Sequence, residues 1–284
     1  MKILNYFLQS IIVYFFFLLG RILGLKISRK IFSFLFSNVG PFFKSKKIIE
    51  KNLINFSRKV VNVNKKSITN DMWINYGKTF IEYIFLDIFK KNNSHMQLMN
   101  EEILLQISEE KKPVIFISGH FANFELMSME ITKKNIQLAT IYRPLNNFFL
   151  NPFMEYLRKK YVCKNQIKKG INGVRESIEY IKKNYSIALM IDQRVSEGEK
   201  IDFFDRPAFT STLPAQLAMK FNLDIVPVYI ERDQNDNFTI EFKNRINPSN
   251  FENKFILTKE LNKVLEKMII KNPNQWIWTH DRWK

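Results

Sequence analysis

Three short stretches of unbroken apolar residues constrain the fold of this chain more than any other feature. They are Val114-Ile115-Phe116-Ile117, Ile187-Ala188-Leu189-Met190-Ile191 and Ile225-Val226-Pro227-Val228-Tyr229-Ile230. Runs this short, apolar at every position, are the pattern of strands buried on both faces. Ala139-Thr140-Ile141-Tyr142 is a weaker run of the same kind, and Phe238-Thr239-Ile240-Glu241-Phe242 alternates as a half-exposed strand does. Helix-like stretches lie between them, at about 122–133, 149–161, 171–184, 211–221 and 255–270. An earlier amphipathic helix is predicted from Asp71 to Phe89 through Trp73, Tyr76, Phe80, Ile81 and Ile84. Strands alternating with helices predict an α/β fold with a mixed, mostly parallel central sheet flanked by helices. In such sheets ligands gather at the carboxyl ends of strands.

The N-terminal quarter is of a different character. From Ile3 to Gly20 there are 18 uncharged residues, including the run Ile11-Ile12-Val13-Tyr14-Phe15-Phe16-Phe17-Leu18-Leu19. As a helix this segment would reach about 27 Å, against roughly 30 Å for a bilayer core. Arg21, Lys26, Arg29 and Lys30 follow it, a bias that places the body of the chain in the cytoplasm. Residues 1–66 hold 13 Lys+Arg and one acid, Glu50, in a chain whose formal charge is +17. Charge so lopsided, beside an apolar segment, fits an anionic membrane surface better than a nucleic-acid coat. A second greasy stretch, Ile31 to Phe43, is expected to lie along the same surface. The expected organisation is a hydrophobic membrane anchor and interfacial segment over 1–43 and an α/β catalytic domain over 44–284. The competing reading makes both apolar stretches core helices.

Several chemistries are excluded. A single Cys163 rules out a disulfide framework, and three widely spaced His with that lone Cys form no metal constellation. No phosphate-binding glycine fingerprint occurs among the 8 Gly. Gly170-Ile171-Asn172-Gly173 reads as a turn before a helix rather than an RNA-binding loop. His95 reads as a solvated loop residue and His280 as structural.

The first strand end is the richest: Ile117-Ser118-Gly119-His120-Phe121-Ala122-Asn123-Phe124-Glu125. Residues five apart on a helix point about 140° from each other, so His120 and Glu125 converge only if His120 sits on the turn and Glu125 in the first helical turn. An imidazole backed by a carboxylate can take a proton from an alcohol near neutral pH. No GxSxG elbow is present, so a substrate hydroxyl would attack an activated acyl group directly. On spacing alone, a histidine in a satisfied hydrogen bond accounts for the pattern equally well.

GHFANFEL, from Gly119 to Leu126, resembles the HxxxxD/E motif of membrane acyltransferases, in the GHFGNWE form of the lipid A late acyltransferases. Further segments resemble that family in order: Tyr142-Arg143-Pro144-Leu145-Asn146-Asn147, then Arg158 in FMEYLRKK, Met190-Ile191-Asp192-Gln193, Phe203 to Thr210 (FFDRPAFT), and Pro273 to Lys284 (PNQWIWTHDRWK). Ala122, Phe124 and Asp205 depart from its usual Gly, Trp and Gly. The resemblance implies transfer of a fatty acyl chain from acyl carrier protein, or less often coenzyme A, to a hydroxyl of a lipid A precursor in lipopolysaccharide biosynthesis. It implies no cofactor beyond that co-substrate, and a site on the cytoplasmic face of a bacterial inner membrane. It makes His120 the general base and Glu125 its orienting partner, with Arg143, Arg158, Asp192 and Asn123 as substrate-binding residues. Arg143 would suit a phosphate or the thioester oxygen. The basic N-terminal quarter would meet anionic lipid or attract the acidic carrier. Two other readings remain open: another membrane lipid as acceptor, or a membrane-tethered basic binding protein without catalysis.

Overall fold

The apolar runs form the middle of a sheet because helices cover both of its faces. The structure, a computed structural model, describes residues 2–43 and 46–284. The boundary expected between residues 43 and 44, and Lys44 itself, fall outside the fully described segments. In chain order the strands are β1 (Met96–Met99), β2 (Ile115–Ser118), β3 (Leu138–Tyr142), β4 (Asn165–Lys168), β5 (Ser186–Met190), β6 (Glu199–Phe203), β7 (Arg206–Thr210), β8 (Ile225–Arg232) and β9 (Phe238–Phe242). Seven of them make one sheet in the order β1-β9-β8-β2-β5-β3-β4, while β6 and β7 form a separate hairpin. Every pairing in the large sheet is parallel except β8 with β9. The mixed, mostly parallel α/β fold is therefore as expected.

The helices are α1 (Lys2–Phe43), α2 (Lys46–Ser57), α3 (Lys65–Glu82), α4 (Leu86–Lys91), α5 (Glu102–Glu110), α6 (Glu125–Lys133), α7 (Asn151–Leu157), α8 (Ile171–Lys182), α9 (Leu213–Phe221) and α10 (Lys254–Lys271). Successive strand residues point to opposite faces. Ile115, Ile117 and Ile225 thus enter a core with residues of α9 and α10 and the C-terminal tryptophans, while Phe116, Val226 and Val228 enter the core that holds α5 and α6.

The elements depart from expectation where polar contacts intervene. The single helix expected over 71–89 begins earlier and breaks after Glu82 into a short 3-10 turn and α4. At that break the Glu82 and Tyr83 side chains enter two different buried polar clusters, described below. The helix expected from about 122 starts only at Glu125, because Ala122 takes a left-handed backbone with φ 42° and Phe121 bridges to Trp276. The helix expected over 149–161 closes as α7 with a π turn at Arg158–Val162, where the Cys163 N–H donates to the Arg158 carbonyl at 2.9 Å.

The two N-terminal apolar stretches are limbs of one bent helix. Gly24 adopts φ 77° and ψ 166° inside α1, a conformation that other residues adopt only at a cost. The bend brings the Phe16 and Phe32 rings to 5.6 Å and lets the Ser28 hydroxyl donate to the Gly20 carbonyl at 2.8 Å. Both limbs lie on α3, so closely that a Cβ on Gly77 would stand 2.2 Å from the Phe32 carbonyl oxygen. Over its length and composition α1 is apolar enough to cross a membrane, and only 17% of its most apolar window is buried. A core helix would be mostly buried. Ile3, Leu8, Ile12, Phe15, Leu18 and Ile22 instead point outward.

Candidate active site

Sheet register alone brings the first two site residues together. β2 pairs with β5 so that Ser118 stands opposite Met190, and the Ile191 N–H donates to the Ser118 carbonyl at 2.9 Å. His120 and Asp192 each lie two residues past these partners and meet on the turns that leave the strands. His120 Nδ1 is 2.7 Å from Asp192 Oδ1, and the His120 backbone N–H donates to Oδ2 at 2.8 Å. The Trp276 indole N–H donates to the same Oδ2 at 2.8 Å. Asp192 is fully buried. Burial alone would raise its carboxyl, but the His120 ring and the two N–H groups, of the His120 backbone and the Trp276 indole, outweigh it and hold the carboxyl below its ordinary value. A carboxylate on Nδ1 places the hydrogen there and leaves Nε2 with its lone pair outward. His120 is one-fifth exposed, and the Phe124 ring stands edge-on to it at 4.6 Å.

Glu125 is not the hydrogen-bonded partner of His120, which corrects the pairing read from the motif. It stands at the start of α6, almost buried, and such a carboxylate needs a cation and donors close by. Arg158 Nε donates to its Oε1 at 2.7 Å and the Tyr83 hydroxyl donates to the same oxygen at 2.6 Å. Arg158 Nη2 also donates to the Tyr83 oxygen at 3.0 Å, while Nη1 is buried with no hydrogen-bond partner among the described residues. The guanidinium lies over the rings of Tyr83 and Tyr142, 5.6 Å from each.

Asn123 also has a place other than the one expected of it. It is 1% exposed, and its Nδ2 donates to Glu82 Oε2 at 2.9 Å. Glu82 is wholly buried and accepts in addition from Arg29 Nε at 2.6 Å and from both terminal nitrogens of Arg232. These cations overcome the effect of burial and keep the Glu82 carboxyl below its ordinary value. Thr79 donates to the Ala122 carbonyl at 2.9 Å, so two side chains of α3 hold the motif loop. Arg143, by contrast, is exposed at the end of β3.

Residues not chosen from the sequence complete the site: Trp276 on Asp192, Tyr83 on Glu125, and Glu82 on Asn123. The tail carrying Trp276 is fixed by Asn52 of α2, whose Nδ2 donates to the carbonyls of Trp278 and His280 at 2.8 and 2.7 Å. His280, read as structural, accepts the Arg194 N–H at 2.9 Å through Nε2, and burial first of all holds its imidazole below the ordinary value. Arg282 is fully buried beside it and donates to the Phe209 carbonyl and the Thr210 hydroxyl; burial pushes its guanidinium down to about 10.

A family model described as bacterial lipid A biosynthesis acyltransferase matches residues 1–284. The chain belongs to that family. Among curated relatives, lipid A biosynthesis acyltransferase 2 of Shigella flexneri is 23% identical over 185 residues, which is 62% of this chain and 57% of that protein's length. The match therefore spans little more than half of that relative. A solved 1-acyl-sn-glycerophosphate (LPA) acyltransferase, PlsC from Thermotoga maritima, is similar over 89% of this chain and 100% of its own, with 12% identity and a TM-score of 0.43. In this lipid A acyltransferase family member, the segments that carried the resemblance surround one end of the sheet. GHFANFE and the MIDQ strand end supply His120 and Asp192, and the closing PNQWIW segment supplies Trp276. The FFDRPAFT segment supplies the last residue of β6, the two-residue turn and β7. There Phe204 and Asp205 have φ of 51° and 55°, the left-handed pair of a type I′ hairpin.

Proposed function

We propose that the protein transfers a fatty acyl group from a thioester, carried on acyl carrier protein, to a hydroxyl of a lipid A precursor. The observation that carries this reading is the His120–Asp192 pair at the mouth of two parallel strands. The acceptor hydroxyl gives its proton to His120 Nε2 as its oxygen forms a bond to the thioester carbonyl carbon. The tetrahedral intermediate then expels the thiol sulfur, which takes the proton back from the imidazolium. Asp192 holds the ring and balances its transient positive charge. The Glu125–Arg158–Tyr83 cluster fixes the start of α6 behind the turn. Family membership supports the acyl-transfer chemistry, and the exposed apolar limb of α1 supports membrane attachment, which we place at the cytoplasmic face of a bacterial inner membrane.

The test is a radiolabelled acyl carrier assay with membranes containing the protein. Label entering a lipid A precursor with wild type, and not with His120→Ala, is the expected result. Label entering a different membrane lipid would replace the acceptor, and wild-type turnover in His120→Ala would remove His120 from the chemistry.

A further inference from the structure

Beyond His120 and Asp192, the same end of the sheet carries cations that form no salt bridge among the described residues. β3 and β4 pair with Tyr142 opposite Lys168, and the Lys169 N–H donates to the Tyr142 carbonyl at 2.9 Å. Arg143 and Lys169 are therefore neighbours one step past the paired strand ends, where side chains at matching positions share a face. Arg194, two residues beyond Asp192, adds a guanidinium that lies 5.5 Å from the Phe209 ring and whose Nε is buried with no hydrogen-bond partner among the described residues. Of the nearby carboxylates, Asp192 is committed to His120, Glu125 to Arg158 and Glu155 to Lys168, while Glu197 attracts Lys169 from a distance without forming an ion pair with it. Two cations side by side without an ion-paired carboxylate repel each other, and an anion between them relieves that repulsion. The Lys169 ammonium reports the crowding. Loss of water contact, and then the Arg143 guanidinium, hold it below its ordinary value although the side chain stays within reach of solvent. It lies within electrostatic reach of Asp192 and His280, so the pair adjoins the candidate active site. The backbone contributes the same sign of potential, since α8 begins two residues after Lys169 with no acidic residue in its first turn.

We infer that Arg143 and Lys169, flanked by Arg194, bind a phosphoryl group of a substrate and so set the position of the reacting end over His120. Lys169 and Arg194 are specificity residues that the family motifs did not single out. The inference rests on the acyl-transfer reading for what the substrates are, and a phosphoryl group is present in both of them: on a phosphorylated glycolipid acceptor and on the phosphopantetheine arm of a donor.

Equilibrium binding tests it without requiring turnover, so a failure here is distinct from a failure of the acyl-transfer reading. In the first arm a phosphorylated glucosamine disaccharide lipid in detergent micelles is compared with the same lipid after phosphatase treatment. In the second arm an acyl-phosphopantetheine thioester is compared with the acyl-pantetheine thioester. Wild type is expected to favour the phosphorylated probe by about tenfold or more in one arm, which identifies the source. Lys169→Ala and Arg143→Ala should each abolish most of that preference, leave binding of the unphosphorylated probe unchanged, and melt at the wild-type temperature. Equal binding of both probes in both arms, or a preference that survives the two substitutions, would overturn the assignment.

Discussion

Asp192 grips His120 at two points, with Oδ1 on the ring Nδ1 at 2.7 Å and Oδ2 on the backbone N–H at 2.8 Å. Ring rotation and loop displacement are thus restrained by one side chain, which Trp276 in turn prevents from swinging. The arrangement needs no contact from Glu125 and follows from the β2–β5 register.

Asp192→Asn is isosteric, but an amide oriented to accept from the His120 backbone presents its NH₂ to the ring and reverses the tautomer. We expect acyl transfer to fall by about 10²–10⁴, the range of general-base assistance, with little loss of fold. Steady-state rates alongside circular dichroism check this. A variant with near-wild-type rates would remove Asp192 from the mechanism.

Glu82→Ala leaves Arg29 and Arg232 buried without their carboxylate. Breaking a buried ion cluster in this way costs about 3–5 kcal/mol. Denaturant unfolding in detergent should show the loss, and Asn123, freed of its acceptor, should no longer steady the motif loop. Glu82→Gln keeps the acceptor for Asn123 and should lose activity less steeply than it loses stability.

His280 supplies a pH dependence whose direction is fixed by its depressed folded value. Between that value and the unfolded one of about 6.5, the unfolded chain binds more protons, so stability rises with pH. The full contribution is present above the unfolded value and is lost as pH falls toward the folded one, where a protonated Nε2 can no longer accept from Arg194. His280→Gln should flatten the melting temperature between pH 7 and pH 5. An unchanged pH slope in that variant would show that another group is responsible.

Ala122 holds φ 42° where a β-branched residue is strongly disfavoured. Ala122→Gly exchanges the left-handed strain, about 1 kcal/mol, against a lost buried methyl of similar worth, and should leave stability within about 1 kcal/mol of wild type. Ala122→Val should be clearly destabilised and less active, because the turn carrying His120 must distort. Thermal melts of the two variants give the ordering directly, and equal melting temperatures would contradict the strain argument.

Much of the sheet was legible because its inner strands are buried on both faces and leave no polar residue to confuse the pattern. β9 matched residue for residue. β4 was not, since Asn165-Gln166-Ile167-Lys168 is an edge strand with only Ile167 buried, and β1 alternates at half burial. The β6–β7 hairpin carries Glu199, Lys200, Asp202 and Arg206, which interrupt the apolar pattern, and the sequence reading places no strands there. The motifs name both His120 and Asp192, but linear spacing favours Glu125 as the histidine's partner, whereas the hydrogen bond goes to Asp192. A carboxylate 72 residues away, delivered by register, has no signature in local spacing.

The buried carboxylate at the end of α3 also orders events along the folding path. Its cations lie 53 and 150 residues away in sequence, on the bent N-terminal helix and on the last residue of β8. Closing loops of such length is slow, and until both cations arrive Glu82 must stay hydrated or neutral. Seating of α1 on α3 is therefore expected late, with a φ-value near zero for Glu82→Gln, and the turn that carries His120 stiffens only when that helix has docked.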